Sequence, residues 1–123
     1  MKKILFPIAC LFAITSVFAQ RQVSLKDVAA YAGDSVLVCG KIEGGKYFSS
    51  SKDSLTLLNV GGAYPNQLLT LVIRADARKE FIAAPETFFI DKQVCVYGRI
   101  SMYNEKPQII IYHSGQLMEA LKE

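Results

Sequence analysis

"SVLVCGKIE", residues 35–43, decides the fold of this chain, together with its counterpart "KQVCVYGRIS", residues 92–101. Both alternate with period two, as a strand with one buried face does. In the first, Val36, Val38, Gly40 and Ile42 share one face, and Leu37, Cys39, Lys41 and Glu43 share the other. Gly40 and Gly98 each follow a valine-rich stretch and precede a basic residue and isoleucine (Lys41-Ile42, Arg99-Ile100). A glycine inside a strand weakens a flat sheet. It suits a tightly coiled barrel strand, where another backbone comes close.

Working outward, "SLTLLNV" (54–60), "LLTLVIR" (68–74) and "QIIIY" (108–112) read as three further strands. "SLKDVAAYAG" (24–33) reads as a short helix, with Ser24 as N-cap, Asp27 three residues on, and Gly33 closing it. "ADARKEFIAA" (75–84) reads as a second helix that Pro85 helps to stop. From Ser114 the tail reads as a capped helix with Leu117, Met118 and Leu121 as a partial apolar stripe. Loop chemistry fills 44–53, and "MYNEKP" (102–107) reads as a turn. The order is helix, three strands, helix, two strands, helix. It matches a mainly-β OB-fold, a five-stranded Greek-key barrel with short helices before strand one, between strands three and four, and at the C-terminus. An open α+β sheet with helices on one side is the alternative.

In an OB barrel the first and fourth strands are antiparallel neighbours that close the cylinder. Placing Cys39 opposite Cys95 puts Val36 opposite Gly98 and Gly40 opposite Val94, so each glycine meets a valine. Facing Cβ atoms in such a pair lie about 4.5–5.5 Å apart, close enough for a disulfide after small adjustment. With 55 residues between them, the bridge would stabilise the fold by about 4 kcal/mol in the chain-entropy model. Two buried, reduced cysteines acting as small apolar residues are the alternative.

The compartment bears on that choice. Lys2 and Lys3 precede an apolar run from Ile4 to Val17, and Val17-Phe18-Ala19 suits a signal peptidase. The first nineteen residues are therefore expected to be a signal peptide, with residues 20–123 a single exported domain, periplasmic or secreted. Cys10 raises a lipid anchor as an alternative, but only six residues separate it from Lys3, and Pro7 stands where leucine is usual. No transmembrane segment is expected in the mature chain. Removing residues 1–19 from the 123 leaves 104, with 12 basic against 11 acidic side chains, a net +1. That balance lacks the basic field which dominates non-specific nucleic-acid binding.

"VCGKI", "LNVGGAYPNQLLTLVI", "ETFFIDKQVCVYGRI" and "KPQIII" together resemble a poorly characterised group of exported bacterial OB-fold domains. Members occur alone or beside nuclease-type domains. Their pattern combines a Cys-Gly strand, a Leu-Asn-x-Gly…Tyr-Pro-Asn-Gln hairpin, an Asp-Arg-x-x-Phe-like helix and a Cys-x-x-Gly strand. The match spans residues 36–112, and it implies nucleic-acid binding by analogy with OB-folds. In the helix Ala77 precedes Arg78, so the acidic partner expected there is missing, with Asp76 one residue further back. The pattern offers no catalytic residue.

Within that hairpin, Gly61, Gly62, Pro65 and Asn66 suit a rigid corner that Asn59 and Gln67 could cross-bond. Whether Tyr64-Pro65-Asn66-Gln67 also touches a ligand is open at this level. An OB barrel binds on strands two and three, between the loops joining strands one to two and four to five. The expected contact residues are Lys46, Tyr47, Phe48 and Lys52 in the first loop, and Tyr103 and Lys106 in the second. Thr56, Thr70, Arg74 and Arg99 are expected on the sheet between. Aromatics that stack bases beside cations that meet phosphates are the chemistry of single-strand binding. The near-neutral charge equally suits an envelope protein- or glycan-binding module. Tyr47 and Phe48 folded over a barrel end, with solvated lysines, are the structural alternative. Paired carboxylates, a nucleophile–base set and metal spacing are all missing, and His113 lies beyond the fifth strand. The expectation is a binding module rather than an enzyme, with no catalytic residue, metal or cofactor.

Overall fold

The structure, a computed structural model, describes residues 21–50 and 52–120. The expected signal peptide, Cys10 and Leu121 lie outside the described residues. Five strands form the barrel: β2 (Ser35–Tyr47), β3 (Thr56–Val60), β4 (Leu69–Ile73), β5 (Gln93–Tyr103) and β6 (Lys106–Ile111). They are the five strands read from the sequence, with β2 longer, β3 and β4 shorter, and the ends of β5 and β6 shifted by one to two residues. β2–β3, β3–β4 and β5–β6 pair antiparallel, β4–β6 pair parallel, and β2–β5 closes the cylinder. This is the OB-fold rather than the open sheet. A short β1 (Gln22–Val23) runs parallel to the start of β2.

The closing pair has the register expected from the cysteines: Val36↔Gly98, Cys39↔Cys95 and Gly40↔Val94. The sulfurs are bonded, with Cα atoms 4.0 Å apart. Val36, Val38 and Ile42 from β2, and Val94, Val96 and Ile100 from β5, fill the interior with Leu58, Val60, Leu69, Leu71, Ile73, Ile109 and Ile111. Most of these side chains are β-branched, which suits a pleated, half-buried surface.

One bulge shapes the site. Between Ile42 and Gly44 the register of β2 against β3 shifts by one residue. An extra residue of this kind bends a strand and reverses which side chains face inward. Even-numbered residues point inward up to Ile42. Beyond the bulge Gly45 and Tyr47 stand opposite the buried Leu58 and Thr56. Gly45 has no room for a side chain, since an added Cβ would lie 2.8 Å from Leu58.

Local expectations differ in four places. The segment after Ser24 is a 3-10 helix, Leu25–Tyr31, and the Ser24 side chain makes no cap. The loop expected over 44–53 begins only after Tyr47, and the 102–107 turn shrinks to Asn104 and Glu105. Both of these have positive φ, 52° and 65°, as a two-residue hairpin requires. The 75–84 helix is one turn, α1 (Ala75–Arg78), and Pro85 opens a second, α2 (Pro85–Phe88), rather than stopping the first. The chain turns away between them so that Glu86 returns to Arg78 and Phe89 packs edge-on against Phe81.

The fourth difference is the tail. It forms a 3-10 turn, Ser114–Gln116, and then β7 (Leu117–Glu119) on the free edge of β5, not a helix. Leu117 is buried while Met118 is exposed, and pairing with Val94–Val96 of β5 holds the segment extended in place of a helical stripe. Gln116 explains the change. Its Nε2 donates to the carbonyls of Tyr97 on β5 and Ile110 on β6, at 3.0 and 3.3 Å. Its Oε1 accepts the N–H groups of Tyr112 and His113 at 2.7 and 3.1 Å. One amide thus satisfies four backbone groups just past the last β5–β6 pair, Ile100↔Ile109.

Gly98 sits beneath this stitch. A Cβ there would lie 2.5 Å from Ile109 Cγ2 and 3.2 Å from Gln116 Nε2. Gly98→Ala should therefore cost about 1–3 kcal/mol by overpacking. Gly115→Ala, with nothing within 4 Å of the added methyl, should be close to neutral. Urea unfolding of the two variants measures the contrast, and equal costs would contradict the packing described.

Candidate functional site

The outer face of β3, β4 and β6 carries two rungs. Register places Leu57 beside Val72 and Val72 beside Ile110. One rung along, Asn59 lies beside Thr70 and Thr70 beside Gln108. An apolar rung and an amide–hydroxyl–amide rung therefore cross the same three strands. Together they floor a groove of about 680 Å³.

Three loops wall it. Phe48 comes from the β2–β3 connection, Tyr64 and Pro65 from the β3–β4 corner, and Tyr103 from the β5–β6 hairpin. Tyr64 and Tyr103 are 76 % and 65 % exposed, so both rings present open faces. The corner and the hairpin are tied together, because Lys106 Nζ donates to the carbonyl oxygen of Pro65 at 2.8 Å. Gln67 Nε2 donates to Thr70 Oγ1 at 3.0 Å. That leaves Gln67 Oε1 as a buried acceptor with no partner. Buried polar atoms are nearly always bonded, so Gln67 Oε1 is an exception among the described residues. The Tyr-Pro-Asn-Gln segment is a corner of the fold and also a wall of the groove.

The structure distributes the expected contact residues unevenly. Phe48, Thr70, Arg74, Tyr103 and Lys106 line the groove. Arg74 also lies over the Tyr112 ring, 5.9 Å from its centroid. Lys46 sits on the outer face beside Leu57, with Nζ 5.0 Å from the centre of the Phe48 ring. Lys52 borders a smaller recess with Asp53, Arg74 and Asp76. Arg99 lies outside the groove, on β5.

Thr56 and Tyr47 face the other way. Thr56 is fully buried, because the strand alternation that puts Leu57 and Asn59 outside puts Thr56 inside. Its Oγ1 accepts a hydrogen bond from Arg78 Nη1 at 2.8 Å. Tyr47 lies past the bulge on the inward face, with the Arg78 guanidinium 3.5 Å over its ring. Both belong to the barrel end, as the structural alternative had Tyr47. Asn59 was the signal for the correct phase: the one strongly polar side chain in "TLLNV" marks the solvent face. Asn59 and Gln108 are polar groove residues that sequence reasoning does not single out as ligand contacts, and Gln67, from the corner whose ligand role it leaves open, lines the groove with them.

Arg78 anchors that barrel end. Its Nη1 and Nη2 reach both oxygens of Glu86 at 2.6 and 3.2 Å, a bidentate pair. The acidic partner missing before Arg78 is therefore supplied eight residues later, by α2. Its hydrogen bonds to Glu86 raise the Arg78 pKa above the ordinary value. The same bonds from Arg78 hold the Glu86 carboxyl below its usual range. The Glu80 carboxyl is also lowered, chiefly because it accepts the Ser114 N–H.

Among the described residues no group of three or more His, Cys, Asp or Glu is placed to hold a metal. No helix there is long and apolar enough to cross a membrane. No family model and no curated protein match the chain. Among solved structures the chain is similar to a "putative aspartyl-tRNA synthetase from Leishmania major Friedlin". The TM-score is 0.49 and the identity 8 %, over 89 % of this chain and 23 % of that one. The chain thus spans less than a quarter of that protein's length, and a likeness this distant carries no functional argument.

A carboxyl whose pKa is depressed by folding adds stability above its unfolded value, and that contribution is lost as pH falls through the folded one. Stability should therefore decline as pH drops below about 4.5, the ordinary value for Glu86. Glu86→Gln should flatten part of that decline, Glu80 retaining the rest. At neutral pH the same change should cost about 2 kcal/mol, as for a lost hydrogen bond to a charged group. Urea midpoints measured from pH 7 to pH 3 test both statements.

Proposed function

We propose that this chain is a non-enzymatic, exported OB-fold module whose groove binds single-stranded nucleic acid. The observation that carries the reading is the pairing of an apolar and an amide–hydroxyl rung beneath aromatic rings from three separate loops. Phe48, Tyr64 and Tyr103 offer faces on which bases stack, each contact worth about 1–3 kcal/mol. Asn59, Gln67, Thr70 and Gln108 offer donors and acceptors to base edges. Arg74 and Lys106 meet backbone phosphates. The domain takes in residues 20–123 after loss of a signal peptide over 1–19. The Cys39–Cys95 bond supports export, since disulfides persist in oxidising compartments. The reading assigns no catalytic residue and no cofactor.

A second reading has support in the same groove. Its polar rung is uncharged, and the mature chain is nearly neutral, which favours an envelope glycan over a polyanion. OB-folds bind oligosaccharides on this face as well as oligonucleotides.

Salt separates the two. Two cations on phosphates predict that log K falls against log salt with a slope of about −1.4, and that Arg74→Gln or Lys106→Ala each removes about 0.7 of it. Tyr103→Ala should weaken binding about tenfold, near the low end of the stacking range. Fluorescence anisotropy with labelled oligothymidine, on the oxidised protein, reads all three. Absence of binding at low salt, or indifference to Tyr103→Ala and Lys106→Ala, would reject nucleic acid. Salt-independent capture of an envelope oligosaccharide would establish the second reading.

A further inference from the structure

The apolar rung does not end at β6. The β5–β6 register pairs Ile100 with Ile109 and Ser101 with Gln108. That ladder stops at Ile100↔Ile109, and beyond it Tyr97 and Arg99 of β5 border the same space as Ile110 and Tyr112. These residues line a second groove of about 620 Å³ on the outer face of β5, and Ile110 is common to both grooves. Tyr112 is 54 % exposed. Arg74, in the first groove, reaches over the Tyr112 ring in the second, so the divide between them is bridged by a cation on a ring. The Arg99 guanidinium is exposed and has no hydrogen bond, ion pair or ring contact among the described residues.

Position explains why this surface is open. Past Ile100, β5 leaves β6, and its ladder is replaced by the Gln116 amide, which bonds the carbonyls of Tyr97 and Ile110 and borders the groove. β7 covers β5 only at Val94–Val96. The outer face at Tyr97, Arg99 and Ser101 opens into the second groove, bordered by Ala32, Gly33 and Gln116. The apolar rung runs Leu57, Val72, Ile110, with Lys46 at its β2 end, and Arg99 lies beyond Ile110 in the second groove.

We propose that the second groove is a contiguous subsite for the same strand, in which Arg99 meets a backbone phosphate and Tyr97 and Tyr112 stack bases. The inference rests on the nucleic-acid reading above and deepens it. The ligand is a single strand long enough to cross from the Phe48 wall to Arg99, near the middle of the range of about 4–16 nucleotides that one OB-fold holds. A tetranucleotide fills only the first groove. An octanucleotide spans both. A run of alternating cations and rings over a continuous apolar floor fits a polyanion with stackable bases, and an uncharged ligand would leave Arg99 unused.

Length-dependent titration tests this on the full, oxidised protein. Oligothymidine of four and of eight residues is titrated against wild type, Arg99→Gln, Tyr97→Leu and Lys106→Ala. The octamer should bind more tightly than doubled site statistics allow, with a salt slope steeper by about 0.7 than the tetramer's. Arg99→Gln should remove that extra slope and leave the tetramer unchanged. Tyr97→Leu should weaken the octamer about tenfold, near the low end for loss of one stacked base, again sparing the tetramer. Lys106→Ala should weaken both. If the tetramer binds and the octamer gains nothing, or if Arg99→Gln and Tyr97→Leu leave the octamer unchanged, the second subsite is overturned while the first stands. If neither length binds, both readings fall. Arg99 is exposed and Tyr97 half-buried, and unchanged urea midpoints would show that both variants fold.

Discussion

The pairing of β2 with β5 is the constraint on which the rest depends. Every other ladder in the barrel joins strands that an open sheet could also hold together. Only the seven rungs from Ser35↔Arg99 to Lys41↔Gln93 bend that sheet into a cylinder. The Cys39–Cys95 bond locks the fifth of these rungs and joins segments 56 residues apart. Its stabilisation falls where contacts are most distant in sequence and loop closure costs most. Closure also removes the sheet edges that would otherwise invite another strand.

Closure has two local consequences, each resolved by a single residue. β2 must serve β5 with its first half and β3 with its second, and the bulge at Glu43 makes the turn. The resulting change of phase sends Tyr47 inward to Arg78 and leaves Lys46 on the outer face. At the opposite side β5 must leave β6, and four backbone groups would go unpaired without the Gln116 amide. Groove and second groove lie on the outer surface between these two adjustments. The site is therefore a by-product of how the barrel closes, furnished afterwards by loop aromatics. Its polar rung is built from the outward positions of strands whose inward positions form the core.

Much of this was legible from residue order. Alternation gave all five barrel strands, and the two cysteines gave the register of the closing pair, because a period of two leaves few ways to match valines with glycines. Phe48, Thr70, Arg74, Tyr103 and Lys106 were expected at the ligand face and line the groove. What escaped was phase and partnership. The polar hydroxyl of Thr56 suits the solvent face, yet Arg78 supplies the hydrogen bond that lets it be fully buried. The tail was given a helix from three apolar residues, yet the free edge of β5 was available and Gln116 held the chain away from helical bonding.

Residue order alone thus determined the strands, the barrel and the cross-link, since these follow from local alternation and from where the cysteines fall. It could not determine which side of each strand faces solvent beyond a bulge, because a one-residue shift leaves composition unchanged and reverses every later side chain. Nor could it give Arg78 its Glu86, or stitch β5 to β6 through Gln116, since those bonds join groups that meet only once the cylinder has closed. Tertiary packing decided them, and with them which polar side chains stayed outside to line the groove.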